Sequence, residues 1–520
     1  MSATLSPPRR WTCRRLVSAI ASVAVGIGAA IITPHALGES WESEPPSWRA
    51  PSWTSRTAMR SRPQSSGTRR AAYQPEVVAT PAPVPDDGAA LDPGYSEGMR
   101  GSDGKASLPG AGSWSEGPFP PAGPDGPCNP CGDACGFAAF SGCDPFFQMT
   151  EGRWRFRGEY LLWWTKAANL PPLVTTSPAG TAQDEAGILG LDSTDVLLGG
   201  GIDMGARSGA RFTLSFSSDP CRVSALEASY LFISDKALTF SQSSEAGDPI
   251  LAIPFFNVDP DSDKAFQQDA LLIAFPGVAI DSQLTAVMSN EFQSFELLGR
   301  DMVFEECGRR LDVLYGYRYS RFAERNSITY AFTSGPDNLL VPEGTVVNGS
   351  DVFAAANEFH GAELGLSGQA QYYRWSLEGV AKLALGGTRS RTTTYGRTTI
   401  RVPGQGSVTT LGGLLAQPTN MGAFSQENFT AIPEVGLTAG LQITPRMKAT
   451  VGYSLIYWSR VARPGDQIDA GYVPGSPVLI NVNPSQFGGG NLVGMPAPQH
   501  RFITTDFWTQ GLSFGLDCRF

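Results

Sequence analysis

From Arg153 onward the sequence alternates apolar and polar residues in short runs broken by turns, and this period of two constrains the fold more than any other feature. Successive side chains of a strand point to opposite faces, whereas a helix repeats near 3.6 residues. In RWRFRGEYLLWWT, Trp154, Phe156, Gly158, Tyr160, Leu162 and Trp164 share one face, and Arg155, Arg157 and Glu159 share the other. Short turns at SSDPCRVS (217–224), EECGRR (305–310), Gln371-Tyr372-Tyr373 and ITPRMK (443–448) release further alternating runs: VSALEASYLFI, RLDVLYGYRYSRF, RWSLEGVAKLAL and KATVGYSLIYWSRV. The runs that lead into three of these turns share a pattern. NEFQSFELLG starts at Asn290, NEFHGAELGL at Asn357, and a looser ENFTAIPEVGL at Glu427. Long polar stretches, 235–285, 323–353, 389–427 and 462–501, separate outgoing from returning strands. Soluble domains rarely carry several structureless loops of that length. Short turns at one end and long loops at the other are the asymmetry of outer-membrane barrels.

The chain closes on GLSFGLDCRF. Leu512, Phe514, Leu516, Cys518 and Phe520 face one way, and Ser513, Gly515, Asp517 and Arg519 the other. An amphipathic last strand ending on an aromatic residue is the kind of signal the outer-membrane insertion machinery reads, and Phe514, Leu516 and Phe520 are the residues that would carry it. Cys518 falls on the lipid side as a small apolar residue. Strands are expected near 154–164, 198–216, 223–234, 286–305, 310–322, 354–370, 374–388, 429–443, 447–461 and 505–520. The expected fold is all-β: a single transmembrane antiparallel up-and-down β-barrel of about ten strands, or about twelve if a loop hides a hairpin. An even count returns both ends of the barrel to the periplasmic side.

Composition agrees. Charged residues make up 17%, against about 25% in a typical globular domain. With 59 glycines, 10% aromatics and a mean hydropathy of −0.12, the chain suits alternating strands better than long apolar helices. A net charge of −10 without a clustered basic face argues against nucleic acid as a partner. Arg9, Arg10, Arg14 and Arg15 precede the apolar run Leu16–Ile32, and Pro34-His35-Ala36 follows. This reads as a signal peptide over 1–36, with an uncleaved inner-membrane anchor as the alternative. Residues 37–127, rich in Pro, Ser and Gly, have no strand or helix period and are expected to be a disordered periplasmic segment. A Cys-rich clasp at 128–150 precedes a barrel over 151–520. The expected location is integral to the outer membrane, with the N-terminal segment in the periplasm.

With GEYLLWW, LDVLYGYRY, the paired Asn-Glu-Phe segments and GLSFGLDCRF in view, the chain resembles the beta-barrel porin-7 family of planctomycete outer-membrane β-barrel proteins. The resemblance covers about residues 150–520 and rests on aromatic and glycine strand patterns. It implies a barrel whose function is largely unassigned in the family, so no functional residues carry over.

Few residues look reactive. Cys128, Cys131, Cys135 and Cys143 have a spacing that suits either two local disulfides or a tetrahedral Zn²⁺, and an oxidising compartment favours disulfides over metal. Cys221 and Cys307 occupy two short turns on one rim and are a further candidate pair. Arg155, Arg157, Glu159, Glu227, Glu296, Arg318, Glu363, Glu378 and Lys382 fall on the lumen face, either as an ion-paired plug or as a selectivity lining. The plug is the preferred reading. His360 near Glu358 and Glu363 admits a surface-protease reading, but a wet position at a strand start suits it better. The GGG runs at 199–201 and 488–490 lack a following helix pattern and are not phosphate loops. No catalytic residue, cofactor or metal is expected. About ten strands enclose a space that side chains can largely fill. A structural or surface-display barrel is therefore preferred over a small-solute pore, and both over a barrel enzyme. The expected partners are outer-membrane lipid, the insertion machinery, and cell-wall or surface components met by the N-terminal segment and long loops.

Overall fold

The structure, a computed structural model, describes residues 153–218, 222–306 and 308–520. The signal peptide, the Pro-rich segment and the clasp with Cys128, Cys131, Cys135 and Cys143 lie outside the described residues, as do Cys221 and Cys307.

The strands are β1 (Trp154–Thr165), β2 (Ala168–Thr176), β3 (Asp195–Ile202), β4 (Arg207–Ser217), β5 (Ser224–Ser244), β6 (Leu251–Asn257), β7 (Gln268–Ala274), β8 (Ala279–Glu306) and β9 (Arg309–Ser334). There follow β10 (Val346–Tyr372), β11 (Trp375–Val402), β12 (Gly406–Leu411), β13 (Gly422–Thr444), β14 (Met447–Ala462), β15 (Ala470–Gly471), β16 (Leu479–Val482) and β17 (Thr504–Arg519). An 11-stranded sheet runs β10-β9-β8-β5-β4-β1-β17-β14-β13-β11-β12, and β10 also pairs with β11. Because β12 pairs with β11 alone, the other ten strands form a closed antiparallel ring in chain order, an up-and-down barrel. First and last strands seal it. Tyr160 lies opposite Phe514, and Phe520 and Trp154 exchange backbone hydrogen bonds of 3.0 and 3.1 Å.

The outward face carries the apolar half of each alternation. Leu364 is 64% exposed, Leu437 55%, Phe514 47% and Leu516 42%, a cost that only lipid removes. On β10 this face runs from Tyr372 at the short turn to His360. About 12 residues at ~3.3 Å, tilted about 40°, span roughly 30 Å, close to the height of a membrane. Among the described residues no helix is long and apolar enough to cross one.

Two expectations are corrected. The strand expected at 198–216 is two elements, β3 and β4, parted at 203–206 where Gly205 takes φ +67° and its N–H donates to Asp203 Oδ1 at 2.8 Å. Much of the stretches expected as long loops is strand: β5 continues to Ser244, β9 to Ser334 and β11 to Val402. The cause is chemical. On upper β11 the outward Arg389, Arg391, Thr393 and Arg397, with Tyr395 among them, alternate with inward Ser390, Thr392, Thr394 and Thr398, so both faces are mostly polar and the period of two fades from hydropathy.

Strands β8–β11 therefore rise beyond the ring as a wall. A second sheet, β15-β16-β6-β2-β3 with β7 on β6, packs against its inner face as a cap. Leu173 and Val174 of β2 and Leu251, Ile253 and Phe255 of β6 join Leu284, Met288, Ile328, Phe332, Val347 and Phe353 of the wall in one apolar core.

Candidate functional site

The nine proposed lumen residues all face the barrel interior, which is stacked in layers. At the short-turn end Arg155 donates to Asp517 through Nε at 2.9 Å and Nη2 at 2.7 Å. Arg157 pairs with Glu378, and Lys448 lies 3.6 Å from Asp517. Arg300 sits 3.8 Å from Glu227, Asp312 and Glu378. β1 and β11 are not neighbours in the ring, so an Arg157–Glu378 pair requires both side chains to point inward and meet across it.

The next layer centres on Arg318, which has no exposed surface. Its Nη1 lies 2.9 Å from Glu434, 3.0 Å from Glu363 and 3.4 Å from Glu296. Lys382 reaches Glu296 at 2.7 Å and Glu434 at 3.2 Å, and Arg211 reaches Glu434 at 3.2 Å. The carboxylate oxygens of Glu296, Glu363 and Glu434 lie within 4.8 Å of one another, a spacing that suits a cation. Arg318 and Lys382 already supply that positive charge, matched by Arg211 for the third carboxylate. Glu159 lines the same interior without an ion pair among the described residues. The space left between the charged groups is a cavity of about 70 Å³, room for about two waters.

Above the charges lies an apolar layer. Trp163, Phe292, Phe322, Phe359, Trp458 and Phe507 are at most 1% exposed and pack with Leu161, Leu231, Ile432 and Ile456. Phe322 stacks on Phe507 with centroids 3.9 Å apart, and Phe359 meets Trp458 edge-on at 6.1 Å. The Trp458 indole N–H donates to Thr388 Oγ1 at 3.0 Å. Arg211 lies over Trp163, 5.5 Å from the ring centroid, and ties the charged layer to this one.

A polar collar closes the mouth. Arg463 forks onto Glu324 with two contacts of 2.7 Å and donates to the Ala167 carbonyl at 2.7 Å. Asn357 accepts from Ala462 N at 2.7 Å and donates to the Ala462 carbonyl at 2.9 Å. The loops after β1 and β14 are thereby pinned into the barrel.

The repeated segments acquire a physical meaning here. Asn290, Phe292 and Glu296 face inward on β8, and Asn357, Phe359 and Glu363 do so on β10, each set supplying the collar, the aromatic layer and the charged layer in turn. On β13 the frame shifts by one: Thr430, Ile432 and Glu434 face inward and Phe429 is 70% exposed. Sequence reasoning left Glu434, Arg211, Arg300, Asp312 and Lys448 out of its lumen set. For Glu434 a signal existed, because Asn428 precedes it by the spacing that separates Asn290 from Glu296.

Of the two carboxylates near the histidine candidate, Glu358 shares its outward face and Glu363 does not. His360 is exposed on the outer face, its Nδ1 2.6 Å from the Tyr317 hydroxyl, while Glu363 points into the lumen. His500, outside the barrel, stacks on Phe424 at 3.6 Å, and burial lowers its pKa below the ordinary histidine value. Cys518 is buried, in the outward register between Leu516 and Phe520.

Comparison with known proteins returns a β-barrel family as well. A family model described as "Putative beta barrel porin-7 (BBP7)" matches residues 155–520. The chain belongs to this family. BBP7 membership covers the whole ring and cap, and fits a porin-like barrel of the outer-membrane type. No curated protein matches the chain. Among solved structures, the outer membrane protease OmpT from Escherichia coli is similar at 11% identity and TM-score 0.34, over 71% of this chain and 98% of that one. The toluene transporter TodX of P. putida is similar at 8% identity and TM-score 0.18, over 71% and 91%. A Pseudomonas aeruginosa FadL homologue gives 9% and 0.17, over 70% and 89%. Likeness this distant carries no functional argument for this BBP7 chain.

Proposed function

We propose that this BBP7 protein is a structural, surface-display barrel of the outer membrane, with a sealed lumen and no enzymatic role. One observation carries the reading: charged layer, aromatic layer and collar follow one another along the same axis, and a cavity among the ionic groups measures about 70 Å³. A pore for small solutes needs a continuous wet path, and the aromatic layer interrupts it. The barrel then serves as a rigid base that holds the cap and wall outside the cell, with the short turns in the periplasm and lipid against the belt. The outward Phe514, Leu516 and Phe520 fit the insertion machinery as the closing-strand signal.

An epitope inserted between Leu339 and Leu340, which are 97% and 93% exposed at the β9–β10 tip, tests this orientation. On intact cells it should bind antibody, and the same epitope at Arg374 in a short turn should not. The reverse pattern would overturn display.

A further inference from the structure

The outward face of the wall changes character where the apolar belt ends. The last belt rung joins Phe295, Tyr319, His360 and Phe429 across β8, β9, β10 and β13. One rung higher, Gln293, Arg321, Glu358 and Arg389 lie side by side. Above them Arg325 and Arg391 flank a floor of small residues, because Ala354 lies opposite Arg325 and Ala356 lies between Ala323 and Arg391. Arg321 is 3.6 Å from Glu291. Among the described residues, Arg325, Arg389 and Arg391 make no ion pair and are exposed. Four guanidinium groups thus frame a shallow basin, two strands apart or about 10 Å across, whose floor is methyl groups and whose lower edge holds Glu358, between Arg321 and Arg389, and Glu427, opposite Arg389.

The cap is the opposite. Between residues 168 and 206 it has Asp184, Glu185, Asp192, Asp195 and Asp203 and no Lys or Arg. An anion approaching the long-loop end is repelled by the cap and drawn to the wall. Higher on the same face is a hollow of about 490 Å³ lined by Gln283, Thr285, Thr329, Asn348, Ser350 and Arg397, with no carboxylate in its lining. Hydroxyl and amide groups of that kind pair with sugar hydroxyls.

We propose that the outward face of β8–β11 docks the phosphorylated saccharide headgroup of an outer-leaflet glycolipid. Its acyl chains would lie along the belt below His360, its phosphates in the basin of Arg321, Arg325, Arg389 and Arg391, and its sugars toward the hollow. Guanidinium forks match phosphate oxygens in pairs, and the basin stands at the depth where a headgroup leaves the lipid. The proposal rests on the orientation given under Proposed function.

Native mass spectrometry of the full chain folded in detergent tests it, with diphosphoryl lipid A, phosphatidylglycerol and inorganic phosphate as probes. Wild type should retain diphosphoryl lipid A, hold phosphatidylglycerol more weakly, and not exchange it for inorganic phosphate. The double variant Arg389→Ser/Arg391→Ser removes two exposed charges and should weaken retention about 30-fold, with unheated gel mobility unchanged. Equal retention by variant and wild type would overturn the proposal. Phosphatidylglycerol held as tightly as diphosphoryl lipid A, or full displacement by inorganic phosphate, would overturn the glycolipid assignment. This measurement does not depend on orientation, so a failed epitope experiment and a failed binding experiment remain distinguishable.

Discussion

Arg318 shows how much one side chain can carry in a buried charged layer. It contacts Glu296, Glu363 and Glu434 through a single Nη1 and has no contact with solvent. Replacing it with Met leaves three buried carboxylates to Lys382 and Arg211, and breaking a buried pair from one side costs about 3–5 kcal/mol. Urea unfolding of Arg318→Met, followed by tryptophan fluorescence, should show a loss of that order. The double variant Arg318→Met/Glu363→Gln should recover part of it, because one orphaned charge is gone. Two additive losses would mean the residues do not act as a pair. At this scale the sequence is partly readable. Alternation along β1, β10 and β11 assigns Arg155, Glu363 and Lys382 to one face without any structure. The same alternation misses Glu434, because in ENFTAIPEVGL the aromatic residue moves one position and takes the lipid face.

Strands are legible in the sequence only where their two faces differ. The belt portions, as in RLDVLYGYRY, have one apolar and one polar face, and their positions follow from hydropathy. The wall portions have two polar faces and read as loops. Cap strands as short as β15 and β16 carry too few residues to show any period. Two predictions belong to this scale. In β17, Leu516 is 42% exposed on the outward face and Ser513 is 2% exposed inside a filled lumen, where a methyl group added at Gly452 would come within 2.9 Å of its Oγ. Leu516→Arg should impair membrane assembly, since Arg on the lipid face costs about 2–4 kcal/mol at the midplane. Leu516→Val should assemble normally and Ser513→Ala should be tolerated, whereas Ser513→Arg, which has no room, should fail to fold. Normal outer-membrane recovery of Leu516→Arg would place that face away from lipid. The second concerns the collar. Glu324→Gln weakens the two-contact Arg463 fork that holds the chain after β14. Limited proteolysis should then cut within residues 463–503 sooner than in wild type, leaving the ring intact. Unchanged cleavage would mean the fork does not hold that loop.

At the scale of the whole molecule, ring closure follows from sequence better than ring contents do. Short turns, an even number of strands and a closing strand that pairs back to the first dictate an up-and-down barrel. That the wall rises past the membrane, and that β2, β3, β6, β7, β15 and β16 fold over it, depends on contacts between segments far apart in the chain, such as the parallel pairing of Asn481 with Phe256. No local pattern encodes such contacts. The same holds for the proposed seal, which needs Phe507 of the last strand to stack on Phe322 of the middle of the chain. The most direct measurement of that seal is the planar-bilayer conductance of the refolded full-length protein, with insertion verified by its slower migration after boiling. A sealed barrel predicts a baseline no different from protein-free lipid at moderate voltage. Steady, ohmic conductance steps from correctly folded protein would contradict the account, because ions would then have a path through the aromatic layer.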